Sequence, residues 1–156
     1  MKGLVVLIAA ALLAAPVAAG AQPYIGASFG VSSAPARCEE DLTRRCEGNL
    51  VALRGFLGYG FTRELAIEAG VTGVEGSAAF DVSAIASMPL GKRVALFGRL
   101  GAFAADGNGS STYTNLTVGA GLRFEVGENA ALRLEWQHFE GGDGLDVVFV
   151  GIMGRF

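Results

Sequence analysis

The sequence predicts an all-β chain folded as an eight-stranded antiparallel transmembrane up-and-down β-barrel. Three observations lead there. Apolar residues make up 51% of the 156 residues, yet beyond the N-terminus no apolar run reaches the roughly 18 residues of a spanning helix. Instead, apolar side chains recur at every second position in segments of roughly 9–13 residues, the length of a tilted membrane-crossing strand. Finally, 24 glycines against 4 prolines suit strands wrapped around a narrow bore better than a helical bundle. Strands can cross lipid only as a closed barrel, because every backbone N–H and C=O must find a partner inside the fold.

The first segment is not part of that barrel. Lys2 supplies a positive start, Leu4 to Ala15 an apolar core, and Ala18-Ala19-Gly20-Ala21 the small residues a signal peptidase requires. An uncleaved anchor is the rival reading, but the apolar core is short for a span. The expected division is therefore a signal peptide over 1–21, cut after Gly20 or Ala21, and a barrel over 22–156.

Eight alternating segments follow. Pro23 to Val31 puts Ile25, Ala27 and Phe29 on one face and Gly26, Ser28 and Gly30 on the other. Asn49 to Phe61 turns Leu53, Leu57, Tyr59 and Phe61 outward and Arg54 inward, and Thr62-Arg63-Glu64 reverses the chain. Leu65 to Thr72 alternates Leu65, Ile67, Ala69 and Val71 with Ala66, Glu68, Gly70 and Thr72. Ala78 to Met88 places Asp81, Ser83 and Ser87 inward, and Pro89 to Lys92 turns. Arg93 to Ala104 sets Val94, Leu96 and Leu100 against Arg99. Tyr113 to Glu125 sets Leu116, Val118, Ala120, Leu122 and Phe124 against Asn115, Thr117, Gly119, Gly121 and Arg123. After Gly127-Glu128-Asn129, Ala130 to Phe139 alternates Leu132, Leu134 and Trp136 with Arg133, Glu135 and Gln137. Leu145 to Phe156 is the closing strand, with Val148, Val150, Ile152 and Phe156 on one parity.

The connections after the second, fourth and sixth segments are short. Ser32 to Gly48 and Ala105 to Thr112 are longer, while those after Thr72 and Phe139 are also short. Short turns on one rim and longer loops on the other place both termini in the periplasm. A soluble barrel with a ligand cavity would alternate too, but it would turn the charged parity to water. Here that parity is sparse, glycine-rich and paired in sign, which suits a tight interior.

Val51 to Val74 (VALRGFLGYGFTRELAIEAGVTGV), with LFGRLGAF, LRLEWQHF and the aromatic ending at Phe156, resembles the small OmpA-like outer-membrane β-barrel proteins. The resemblance implies an integral protein of the Gram-negative outer membrane whose last strand closes the barrel through Phe156. It implies outer-membrane lipid, lipopolysaccharide and the barrel-assembly machinery as partners, and a monomer. The peptidoglycan-binding domain of full-length members has no counterpart in these residues. A pI near 5.1 without a basic run argues against nucleic acid.

Four groups of residues are candidates for chemistry. Cys38 and Cys46 in an exported chain point to a disulfide, since zinc would need further ligands and no histidine lies near. The inward parity collects Arg54, Glu68, Asp81, Arg99, Arg123, Glu125, Arg133, Glu135 and Arg155. An eight-stranded bore is just wide enough for side chains, so these charges must pair. Glu68, Arg99, Glu135 and Arg155 resemble the acid–base cluster that plugs the OmpA barrel; structural salt bridges are the leading reading and a regulated ion leak the other. His138, beside Trp136 on the lipid-facing parity, would serve a lipid A deacylase only with a serine two residues on, where Glu140 stands; an aromatic-belt position accounts for it. The loop acids Glu39, Glu40, Asp41, Glu47, Glu75, Asp106, Glu140, Asp143 and Asp146 are too scattered for ligand spacing and read as solvated, with cation bridging to lipopolysaccharide as the alternative. No catalytic residue, cofactor or metal is expected. The function so read is structural or surface-interacting, then a narrow porin, then a lipid A-modifying barrel enzyme.

Overall fold

A computed structural model describes residues 22–36, 46–74, 77–106, 112–141 and 144–156. The expected signal segment and Cys38 lie outside these residues. The chain forms β1 (Gln22–Ala36), β2 (Cys46–Gly60), β3 (Leu65–Val74), β4 (Ser77–Pro89), β5 (Val94–Asp106), β6 (Thr112–Glu125), β7 (Ala130–Phe139) and β8 (Leu145–Arg155). Each strand pairs antiparallel with the next, and β8 pairs with β1 from Tyr24↔Arg155 to Ser33↔Asp146, which closes the barrel. Closure leaves no open edge of backbone donors and acceptors.

Both ends of the described chain and the turns at 61–64, 90–93 and 126–129 share one end, the near rim. At these turns the N–H groups of Phe61, Leu90 and Val126 donate to the carbonyls of Leu65, Val94 and Ala130 at 2.9, 2.9 and 3.0 Å. The first turn is further held by the Thr62 hydroxyl oxygen, which accepts from the N–H groups of Glu64 and Leu65 at 3.1 and 3.0 Å.

The first hairpin runs further than the apolar alternation indicates. Ser32 to Ala36 and Cys46 to Gly48 read as loop, yet the pairing continues from Ser32↔Leu50 to Ala36↔Cys46. The ladder consumes only N–H and C=O groups, so it can outlast the apolar pattern that marks the lipid-facing part.

The outward parity is an apolar surface: Ile25, Phe29, Leu53, Leu57, Val71, Leu100, Leu116, Val150 and Ile152 are all exposed. Phe156 sits at the near rim on that parity, 74% exposed, and its N–H donates to the Pro23 carbonyl at 3.2 Å. Phe156→Ala should keep this backbone bond but remove the aromatic from the bilayer boundary, costing about 1–2 kcal/mol of insertion energy. Slower appearance of the heat-modifiable folded band is the expected result; an unchanged rate would remove Phe156 from any role in closure.

The inward parity fills the bore in layers. Toward the far rim lie Ala52, Phe103, Phe139, Val147 and Phe149, with Phe103 and Phe139 edge to face at 5.1 Å. Toward the near rim lie Tyr24, Phe56, Ala131 and Met153. Between the two sit the charges. Such bulk fits because the neighbouring strands offer glycines: a Cβ on Gly58 would overlap the Tyr24 ring, and one on Gly70 would overlap the Arg54 guanidinium.

Candidate functional site

Six ionisable side chains from five strands meet in the middle of the bore: Arg54 (β2), Glu68 (β3), Asp81 (β4), Arg99 (β5), and Arg133 and Glu135 (β7). Each is at most 4% exposed. The alternation of the strands turns them inward, and their positions along the strands bring them to neighbouring heights.

Glu68 is the hub. Its Oε1 accepts from Arg54 Nη2 at 3.2 Å and from Arg99 Nη2. Its Oε2 accepts from Arg133 Nη1 at 2.6 Å and from the Tyr24 hydroxyl at 3.2 Å. Arg54 grips Asp81 with both Nη atoms, at 2.5 and 3.1 Å, a fork that fixes orientation as well as charge. It also donates to Thr72 at 3.2 Å and to the Gln137 side-chain oxygen at 3.4 Å. Arg99 Nη1 donates to the second Asp81 oxygen at 3.0 Å, while its Nε stands 2.7 Å from Glu135. Arg133 Nη2 lies 2.9 Å from the other Glu135 oxygen. Those last two contacts are ion pairs without hydrogen-bond alignment, since among the described residues Arg99 Nε, Arg133 Nη2 and Glu135 Oε1 make no hydrogen bond. Three guanidinium groups thus face three carboxylates, and the layer is neutral.

Arg133 is also held by aromatic faces. Its guanidinium carbon lies 4.9 Å from the Phe56 ring centre and 4.3 Å from that of Phe97. Each is within cation–π range. This residue forms the boundary between the charged layer and the near-rim mouth.

The quartet Glu68, Arg99, Glu135 and Arg155 needs correction. Arg155 lies in a second cluster at the near rim, donating to both oxygens of Glu125, at 2.5 Å to Oε2. Arg123 joins it there, with Nε 3.1 Å from Glu125 Oε1. The reason is height: Arg155 pairs with Tyr24 at the start of β1, whereas Arg133 pairs with Gly151, deeper in the bore. Arg123 and Arg133 are direct cross-strand partners, and two like charges so placed repel. They separate, Arg133 toward Glu68 and Arg123 toward Glu125. Parity alone could not have distinguished them.

On the outer surface Asp146, which belongs to β8 and not to a loop, joins His138 and Trp136. Its Oδ1 lies 3.0 Å from His138 Nδ1 and accepts from Trp136 Nε1 at 3.1 Å. Among the described residues no hydroxyl or thiol bonds to the His138 ring. A hydrogen-bonded indole and imidazole near the far rim suit the boundary of a bilayer.

A closed barrel with an apolar exterior and an ion-paired interior is matched by the family profile described as "Outer membrane protein beta-barrel domain", over residues 4–153. The chain belongs to this outer-membrane β-barrel family. The solved structures agree on the fold. The N-terminal β-barrel domain of OprF from Pseudomonas aeruginosa is 14% identical, with a TM-score of 0.60 over 87% of this chain and 99% of that one. Neisserial surface protein A is 18% identical, with a TM-score of 0.60 over 88% and 98%. The attachment invasion locus protein Ail of Yersinia pestis is 17% identical, with a TM-score of 0.55 over 87% and 97%. No curated protein matches the chain. At such identities these structures show the fold alone, and the outer-membrane assignment comes from the family profile.

Proposed function

We propose that this chain is a closed, non-enzymatic outer-membrane barrel with a structural or surface-interaction role, both termini facing the periplasm. The observation that supports it is the sealed bore. The six mid-bore charges are at most 4% exposed, and an apolar layer covers them on the far side. A continuous aqueous path would leave its lining side chains accessible to water. The lipid-facing band sits among bilayer lipid and lipopolysaccharide, the assembly machinery closes β8 onto β1, and residues 1–21 are removed on export. A Cys38–Cys46 disulfide would brace the first hairpin; labelling of both by a thiol reagent before reduction would refute it.

A narrow porin is the second reading, favoured by the open cavity that leads from the near rim to Arg133. Planar-bilayer recording on the purified barrel, beside a lipid A mass spectrum from cells producing it, separates the readings. Neither current nor altered lipid is expected. Steady wild-type conductance would overturn the closed barrel in favour of the porin, and a changed lipid A would overturn the non-enzymatic assignment.

A further inference from the structure

Inside the near rim the bore widens into a cavity of about 830 Å³. Tyr24, Phe97, Arg133 and Met153 form its floor. Its walls carry Arg63, Lys92, Arg93, Arg123 and Arg155, against the carboxylates of Glu64, Glu125 and Glu128. Five cations therefore face three anions above a floor that ends on another guanidinium. A concave site of one dominant sign, walled by low-dielectric protein, concentrates counter-ions of the opposite sign.

One of the three carboxylates is already held as a bound anion would be. Glu125 is clamped between Arg123 and Arg155, accepting from the first at 3.1 Å and from the second on both oxygens. These three side chains are 20–23% exposed, so solutes can reach them. At the floor, Arg133 is 4% exposed, and among the described residues its Nε and Nη2 make no hydrogen bond. The buried cluster above is neutral and fully paired in charge, whereas the cavity has cations in excess and a carboxylate that occupies only two of them.

We propose that this near-rim cavity is an anion-binding site for a compact solute bearing several carboxylate or phosphate groups, with Glu125 as the internal ligand that such a solute displaces from Arg123 and Arg155. Both chemistries suit a guanidinium fork. The cavity volume admits a group much larger than a single inorganic ion. Because the floor is closed, binding there needs no passage through the barrel. The site goes beyond the closed-barrel reading: a wild-type current would sink that reading and leave this one standing.

The test is calorimetric titration of the folded full chain in zwitterionic detergent at low ionic strength, with citrate and with pyrophosphate as separate probes. Saturable binding of at least one is expected, and the tighter probe identifies carboxylate or phosphate as the preferred group. Arg155→Gln should weaken binding about tenfold, and Glu125→Gln should tighten it about tenfold, the scale of one charge-assisted hydrogen bond. Glu140→Gln, exposed beyond β7, should leave it unchanged. Glu125→Gln keeps both arginines, so it remains decisive should Arg155→Gln fail to give the heat-modifiable folded band. No saturable binding of either probe to wild type or Glu125→Gln overturns the proposal. So does binding that Glu125→Gln fails to tighten or that a folded Arg155→Gln leaves unchanged.

Discussion

Replacing Glu68 by alanine is expected to destabilise the barrel by about 3–5 kcal/mol, the cost of leaving a buried charge without its partner. Among the described residues Glu68 is the one carboxylate that accepts from Arg54, Arg99 and Arg133 together, and from the Tyr24 hydroxyl as well. Without it, three guanidinium groups share Asp81 and Glu135 in a space closed to water. Part of that cost is relieved if the arginines spread apart and water follows them inward. Two measurements check this: urea unfolding in lipid vesicles, and single-channel recording of the same variant. A lower unfolding midpoint together with openings absent from wild type is expected. Leu134→Ile, on the exposed outward parity, should change neither. A Glu68→Ala barrel as stable and as silent as wild type would mean that the cluster does not hold the bore shut.

The sequence carried the barrel plainly and its interior only in part. Alternation sorts side chains to two faces, and in β3 to β8 the expected inward residues do face inward, because a strand offers only two directions. What alternation does not encode is height along the axis, and partners in a lumen are chosen by height. Arg123, Arg133 and Arg155 share a parity and a charge, yet one belongs to the central layer and two to the near rim. Register across β7, β8 and β1 separates Arg155 from Arg133, whereas Arg123 and Arg133 stand directly opposite each other on β6 and β7 and are parted by like-charge repulsion, and neither cause lies in any single segment.

The apolar layers are also legible in the alternation. Phe56, Phe97, Phe103, Phe139 and Phe149 all lie on the charged parity. The same parity that carries the charges carries the aromatics that flank them on both sides. They belong there for a physical reason: an ion cluster gains strength when water is excluded from its surroundings. Phe103, Phe139 and Phe149 exclude it from the far side, and Phe56 and Phe97 against Arg133 exclude it from the near side.

Arg133→Ala should give the other large effect, and of opposite electrical sign. Arg133 neutralises Glu68 at 2.6 Å and Glu135 at 2.9 Å. Its loss strands both carboxylates at a cost of about 3–5 kcal/mol, with the two lost aromatic contacts inside that figure. It also removes the side chain that separates the central layer from the near-rim cavity, so water gains a direct route to the remaining charges. Arg133→Lys tests whether charge or shape matters, because an ammonium keeps the sign but cannot present a planar fork to two carboxylates while lying against two rings. It should lose about 1–2 kcal/mol and stay closed. The central layer holds three bases and three acids, so Glu68→Ala leaves it one charge positive and Arg133→Ala one charge negative. Under a potassium chloride gradient, openings of Glu68→Ala should therefore favour anions and those of Arg133→Ala cations, with reversal potentials of opposite sign. Reversal potentials of the same sign would show that ions bypass this layer, and the central cluster would then be a structural brace outside the conducting path.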